Sequence, residues 1–305
     1  MKLVYFGTAE FAVRTLRALA PHVVLVVSQP DRPTGRGMRT QPSPVRATAE
    51  ALGLPVMTPE RARDPEFIAH IESLGADALV VAAYGQILRE RLLYAARCGA
   101  INLHGSILPR WRGAAPIQRA VQAGDSETGV TLMQMDRGMD TGDVIHTVST
   151  PVDDAETAGE LTLRLADLAA ELALEWMPRV VAGDILRTPQ SPEGATHAAK
   201  VEKAEAELDC TRPAGEEFLR FRAFTPAPGA WIQGPEGAIR LARAARRDDL
   251  PVAPGAVALT ASGLAVGFLD GTIEFLEVQP AGRKRMSGRD AANGLRLRSG
   301  DPLRR

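Results

Sequence analysis

The tightest constraint on this chain is a recurrence of short, mostly apolar runs separated by stretches of helical spacing. Leu3 to Phe6 ends at Gly7-Thr8, and Val23-Val24-Leu25-Val26-Val27 forms a second run. Ala76 to Ala83 and Ala100 to Leu103 repeat the texture. A strand with one face in water alternates apolar and polar residues, so runs without alternation belong to strands covered on both faces. Between the first two runs, Phe11, Val13, Leu16 and Leu19 recur at helical spacing. Strand, helix and strand repeated in this way give an α/β fold with an open, mostly parallel, Rossmann-like sheet and right-handed crossovers.

Further along, Thr157 and Glu160 have capping-box spacing, and Leu161, Leu165, Leu168 and Leu172 follow as an apolar stripe. This predicts a long helix over about 157–178 that packs on the sheet. Residues 188–206 are polar, carry two prolines and read as a linker. The texture then changes to short β-rich runs at 229–233, 238–243, 255–259, 263–268 and 272–278. Five short strands punctuated by Gly, Pro and Asp predict a second, smaller OB-like β-barrel, and a sandwich fits the spacing as well. The expected organisation is a catalytic domain over 1–187, a linker over 188–206 and an OB-like domain over 207–305.

Net charge sets no bias toward nucleic acid, since 36 Lys and Arg face 37 Asp and Glu. The distribution is uneven, however, and residues 281–305 hold eight basic against two acidic side chains. Such a stretch can meet a phosphate backbone, though a solvated face has the same composition. Cys98 and Cys210 form no CxxC, and the five histidines form neither HExxH nor HxH, so no disulfide framework and no metal are expected. Residues 1–7 lack the pattern of a secretory signal, and no apolar run reaches the ~18 residues that span a bilayer. A cytoplasmic protein without membrane contact is expected, and a monomer, because the two domains account for the apolar stripes.

The chemistry concentrates in the block from Asn102 to Gln118, which follows the run at 100–103. In an open α/β sheet, ligands bind beyond the carboxyl ends of the strands. Asn102 and His104 are two residues apart there, so in extended backbone both side chains project to one side. An amide donor beside an imidazole suits a reaction that builds negative charge on a carbonyl oxygen. Asp140, in Met139-Asp140-Thr141-Gly142-Asp143, is the candidate carboxylate for the imidazole. A histidine at a strand end is equally a packing residue, and Asp-Thr-Gly is ordinary turn chemistry. The residues alone leave both readings open. So too does the Pro- and Gly-rich stretch 29–45, which fits neither helix nor strand. Its Arg32, Arg36 and Arg39 can grip phosphates and base edges, or decorate a plain surface loop.

The string HGSILPRWRGAAPIQRAVQAGDSETGVTLMQMDRGMDTGD resembles the signature of the folate-dependent formyltransferases. The family's catalytic Asn, His and Asp fall on Asn102, His104 and Asp140. Its folate-contacting segment falls on Ser106, Ile107, Leu108 and Pro109, with Ile in place of the family's first leucine. Tyr84, Gly85, Gln86, Ile87 and Leu88 resemble the loop that, with the segment from Asp136 to Asp140, walls the folate pocket. The likeness extends to 224–231 and 279–288, which match the second, tRNA-binding domain of members that act on charged tRNA. In those members the loop matching 29–45 inserts into the acceptor stem, and their key arginine falls on Arg36. The resemblance implies transfer of a formyl group from 10-formyltetrahydrofolate to the α-amino group of methionyl initiator tRNA, in support of translation initiation. It also implies tRNA contacts from Arg32, Arg36, Arg39, Arg283, Lys284 and Arg285. A formyltransferase for a small amine and a formyl-folate hydrolase share the catalytic set. A non-catalytic RNA-binding module is the remaining alternative, and it leaves the Asn102, His104 and Asp140 spacing unexplained. Neither G-x-G-x-x-G nor G-x-x-x-x-G-K-[ST] occurs, which argues against nucleotide binding.

Overall fold

The apolar runs do become strands of one sheet. The structure is a computed structural model and describes residues 1–34 and 39–304. The first elements are β1 (Leu3–Gly7), α1 (Phe11–Leu19) and β2 (Val23–Val27), then a two-stranded ribbon of β3 (Arg32–Thr34) and β4 (Arg39–Gln41). Next come α2 (Pro44–Ala51), β5 (Val56–Met57), α3 (Pro65–Ser73), β6 (Ala78–Ala82) and α4 (Glu90–Leu93). They are followed by β7 (Ala100–His104), β8 (Arg112–Gly113), α5 (Pro116–Ala123), β9 (Glu127–Gln134) and β10 (Val144–Pro151). The long helix α6 (Ala158–Ala182) and the short strand β11 (His197–Ala198) come after these.

Seven strands form the sheet in the order β10-β9-β7-β6-β1-β2-β5. The five from β7 to β5 are parallel, and β9 and β10 extend the β7 edge antiparallel. All residues of β1, β6 and β7 are buried, as unalternating runs require. Helix α1 buries Phe11, Val13, Leu16 and Leu19, each worth roughly 1.5–3 kcal/mol once removed from water. Gly7 permits its close approach, because a Cβ there would lie 2.9 Å from that of Ala12. The direction of the connections reverses between β1 and β6, so the carboxyl ends of these strands frame a crevice.

Three local outcomes differ from the sequence expectation. The stretch 29–45 contains the β3–β4 ribbon, in which Pro33 pairs with Thr40. An isolated ribbon has only edge strands, where a proline without an N–H is tolerated. The ribbon leaves Arg36 and the side chains of Arg32 and Arg39 outside the described residues. Helix α6 runs past Pro178 to Ala182, and Gly183 at φ 77° follows. Its stripe buries Leu161, Leu165 and Leu172, with Met177 and Val180 continuing it, whereas Leu168 is only partly buried.

The second sheet is antiparallel, with β12 (Trp231–Gly234), β13 (Gly237–Arg247), β14 (Val257–Leu259), β15 (Leu264–Gly267) and β16 (Thr272–Pro280). Their order is β12-β13-β16-β15-β14, and β17 (Met286–Ser287) pairs with β16. It is one continuous sheet, as the OB-like reading requires and a two-sheet sandwich does not. Register shifts beside Arg243 mark irregularities where β13 bends, since an extra residue on one strand increases its twist. Ile232, Ile239, Leu241, Val266, Ile273, Phe275 and Val278 are buried. Helices α7 (Ala214–Ala223) and α8 (Gly288–Gly294), which carry no long apolar period, pack with these strands.

The chain passes repeatedly between two compact units. The first comprises 1–116, 127–151 and 162–199, and the second comprises 117–126, 152–161 and 200–305. The expected linker is thereby divided. Residues 188–199 belong to the first unit, where β11 pairs parallel with β8, and residues 200–206 belong to the second. No described helix is long and apolar enough to cross a membrane.

Candidate active site

Strand β7 presents Asn102 and His104 on one face, both buried. The segment after β9 then crosses that face. This loop, 136–143, is closed at its base by Gln134 N–H donating to the Asp143 carbonyl at 2.9 Å. Asp136 organises the turn, accepting from Gly138 N at 2.9 Å and from the Thr141 hydroxyl at 2.7 Å. Asp140 at the apex has φ 54°, a left-handed conformation that Asp tolerates better than most side chains. The Asp140 carboxylate lies beside the imidazole expected as its partner, and beside Asn102 as well. Asn102 Nδ2 lies 3.4 Å from Oδ1, and His104 Nδ1 lies 3.7 Å from Oδ2. Gly113 N–H also donates to Oδ2, at 2.8 Å. Two neighbours on one strand and a carboxylate far downstream therefore converge.

The orientation of the imidazole follows from its other contact. His104 Nε2 is 2.8 Å from the Trp111 carbonyl oxygen. A carbonyl can only accept, so Nε2 carries a hydrogen there and Nδ1 is the ring atom turned to Asp140. Trp111 has φ 65°, and its N–H donates to Thr196 Oγ1 at 2.8 Å. Gln190 is a second brace from the same segment. It donates to the Asp140 and Gly142 carbonyls and accepts from the Arg112 guanidinium. Sequence reasoning missed Trp111, Gly113, Gln190 and Thr196. The first two act through backbone atoms, and the last two sit in a stretch with no periodicity to mark it.

The segment 106–109 builds the turn that leaves β7. The Ser106 hydroxyl is wholly buried and donates to the Arg110 carbonyl at 2.7 Å. Thr131 Oγ1 donates to Ser106 O and accepts from Leu108 N. Leu108 is buried, while Ile107 and Pro109 are partly exposed. On the other wall, at the end of β6, the Tyr84 carbonyl accepts from Thr8 Oγ1 at 2.8 Å and Gln29 Nε2 at 2.9 Å. These contacts tie together the carboxyl ends of β1, β2 and β6. Gly85, at φ 82°, leaves no room for a Cβ beside Gln29. The Gln86 amide accepts from Ala62 N and bonds the Pro59 carbonyl, so it braces its own loop. Leu88 is buried, whereas Ile87 is 79% exposed. Burial pushes the Tyr84 phenol up to about 12. Its hydroxyl has no hydrogen-bond partner among the described residues. Arg137 pairs with Glu90, which brings loop 136–143 against the segment that carries Ile87 and Leu88.

A cavity of about 440 Å³ opens beside the amino end of β7, lined by Cys98, Gly99, Gln134, Met135, Asp136 and Asp143 among others. None of Asn102, His104 and Asp140 lines it. Among the described residues there is no cluster of His, Cys, Asp and Glu able to hold a metal. In the second unit, Arg283 pairs with Glu236 at 2.9 Å and Arg285 with Glu277 at 3.0 Å, and Lys284 is exposed.

Comparison with known proteins places the chain in a family. Residues 1–181 match the formyl transferase family and residues 200–296 match its C-terminal domain. The methionyl-tRNA formyltransferase of Symbiobacterium thermophilum is 48% identical over 301 residues, covering 96% of this chain and 92% of the relative. That of Halorhodospira halophila is 45% identical, covering 99% of both. Among solved structures, an N-formyltransferase from Helicobacter canadensis, complexed with folinic acid and dTDP-3-aminofucose, superposes with a TM-score of 0.67. It is 16% identical and covers 90% of this chain and 99% of that one. HypX from Aquifex aeolicus in complex with tetrahydrofolic acid gives 0.68 at 16% identity, covering 99% of this chain and 49% of that one. At these identities the two structures speak for the fold alone. The near full-length relatives decide the matter: the chain belongs to the formyl transferase family, in the branch of the methionyl-tRNA formyltransferases.

Proposed function

We propose that this chain transfers the formyl group of 10-formyltetrahydrofolate to the α-amino group of methionine carried on initiator tRNA. The observation that carries the reading is the Asp140 carboxylate held between Asn102 and His104 in a chain with full-length relatives of that name. The residues fit the donor. Ile87 and Met139 are large apolar side chains left mostly exposed on two adjoining loops, as cover for an aromatic ring system demands. Tyr84, Gly85, Gln86 and Leu88 with Asp136 would shape that wall, and Ser106 to Pro109 would be the other folate-contacting segment.

The donor supplies an activated one-carbon unit, and the chain supplies positioning and charge. An ordinary α-amino group has a pKa near ~7.7–8.0, so a useful fraction is free base at neutral pH. The amine therefore needs alignment more than deprotonation. Asn102 Nδ2–H donates to the formyl oxygen as negative charge grows there. His104 acts through Nδ1, because Nε2 is held by Trp111. The negative Asp140 carboxylate supports positive charge on that ring while a proton passes from the amine toward the departing nitrogen. Arg32, Arg36 and Arg39 would hold the acceptor end, and Arg283, Lys284 and Arg285 the backbone beyond it. The same reading has the protein act as a monomer in the cytoplasm.

The test is a side-by-side assay of purified protein with labelled formyl donor. It offers methionyl initiator tRNA, methionyl elongator tRNA, glycinamide ribonucleotide, an amino sugar and water as acceptors. The label should pass to methionyl initiator tRNA in preference to the others. Preferential formylation of a small amine, or release of formate alone, would overturn the reading.

A further inference from the structure

We propose that Gln190 is a positioning residue that holds the Asp140 carboxylate against His104 by clamping the backbone of loop 136–143. The inference rests on the reaction assigned above and adds a residue to it. Gln190 Nε2 is 2.9 Å from the Asp140 carbonyl oxygen and 2.7 Å from that of Gly142. Its Oε1 is 3.0 Å from Arg112 Nε and 2.7 Å from Arg112 Nη2. The orientation of the amide is unambiguous. A flipped amide would set its oxygen against two carbonyls and its NH2 against a guanidinium, none of which can pair. All of the amide's hydrogen-bonding capacity is therefore committed to two segments, the backbone of loop 136–143 and the Arg112 side chain of the strip 111–113.

Those segments carry the site. On one side, Gln190 grips the carbonyl of the residue that bears the catalytic carboxylate, at a left-handed position that relaxes if unsupported. On the other, Arg112 lies between Trp111, whose carbonyl holds His104 Nε2, and Gly113, whose N–H holds Asp140 Oδ2. One amide thus joins the strip that orients the imidazole to the loop that presents the carboxylate. Gln190 is itself fixed nearby, where Thr188 N–H donates to Val144 O and Val144 N–H donates to Thr188 O, each at 2.9 Å. Gln190 touches neither reacting atom, so its effect should fall on alignment.

Two variants of the full chain separate this role from a merely structural one. Gln190→Leu removes both halves of the clamp. Gln190→Glu keeps the acceptors for Arg112 but sets a carboxylate against two carbonyls. Misalignment of a catalytic group by about an ångström costs up to ~100-fold, so both variants should lose about ten- to a hundredfold in kcat. KM for donor and for charged tRNA should stay within about threefold, because an interaction used only in the transition state leaves ground-state binding alone. The Gly113 amide resonance, which reports the hydrogen bond to Asp140 without any substrate, should move in both variants while most other amides superimpose on the parent. A Gln190→Glu variant with parental kcat and an unmoved Gly113 resonance would overturn the proposal. Global loss of amide dispersion in Gln190→Glu would overturn it too, by making Gln190 a stability residue. If the parent chain formylated no charged tRNA, the assigned reaction would fail, yet the Gly113 signal would still decide the role of Gln190.

Discussion

Among the side chains at the carboxyl end of the sheet, some are proposed to act on the substrate, others hold those in place, and at least one does neither. Asn102 and His104 belong to the first group, and each replaced by Ala should lower the single-turnover rate by about 10²–10³, the usual loss for an oxyanion donor at Asn102 and within that for an acid–base group at His104. Near-parental turnover in both variants would remove the assignment. Tyr84 offers a contrasting case. Its ring packs edge-on against Phe6 at 5.3 Å, and its buried hydroxyl has no partner among the described residues. An unsatisfied buried hydroxyl costs about 1–3 kcal/mol, so Tyr84→Phe should leave the urea midpoint unchanged or raise it. A clear fall would mean that the hydroxyl has a partner. Asn102, His104 and Asp140 could be named from the sequence because the string around them resembles the family signature, whereas the residues alone left a packing histidine and an ordinary turn open. Gln190 and Thr196 could not, because a side chain that bonds backbone needs only proximity, and proximity is a product of the fold.

At the level of elements, helix α6 tests how well local signals report local energetics. Thr157 N–H donates to Glu160 Oε2 at 2.9 Å, and Glu160 N–H lies 3.3 Å from Thr157 Oγ1, completing the expected capping box. The backbone N–H of Thr157, then its hydroxyl, holds the Glu160 carboxyl below the usual glutamate range. Thr157→Ala should cost about 1 kcal/mol at neutral pH by chemical denaturation. A carboxyl with a depressed folded value stabilises fully above the ordinary carboxylate range. It loses that contribution as pH falls through the folded value. The gap between parent and Thr157→Ala should therefore narrow in acid, and a gap independent of pH would contradict the cap. The buried parallel strands and this helix could be read because their patterns are local and repeated. Strands β9 and β10 went unread, though they carry the loop with Asp140. Thr128 and Thr131 interrupt the apolar run of β9, and only the partners found by Thr131 in the fold explain its burial there.

For the molecule as a whole, charge rather than shape governs the expected encounter with tRNA. Arg283 and Arg285 are engaged with Glu236 and Glu277, but exposed pairs of this kind contribute little and exchange readily. Replacing Arg283, Lys284 and Arg285 together by Ala should weaken tRNA binding across all tRNA species. It should also flatten the dependence of affinity on salt by up to about 0.9 log units per lost phosphate contact. A salt slope equal to the parent's would take the three out of the interface. The OB-like second domain was visible as strand spacing, whereas the interleaving of the two units was not, because nothing in composition marks a chain that leaves a unit and returns. That interleaving governs synthesis. The first unit draws its final segment from 162–199, and Gln190 and Thr196 lie within it. A ribosome must therefore deliver Thr196, well after every strand of the first sheet, before the nascent chain owns every brace of the candidate site, so the site matures later in translation than the sheet that carries it.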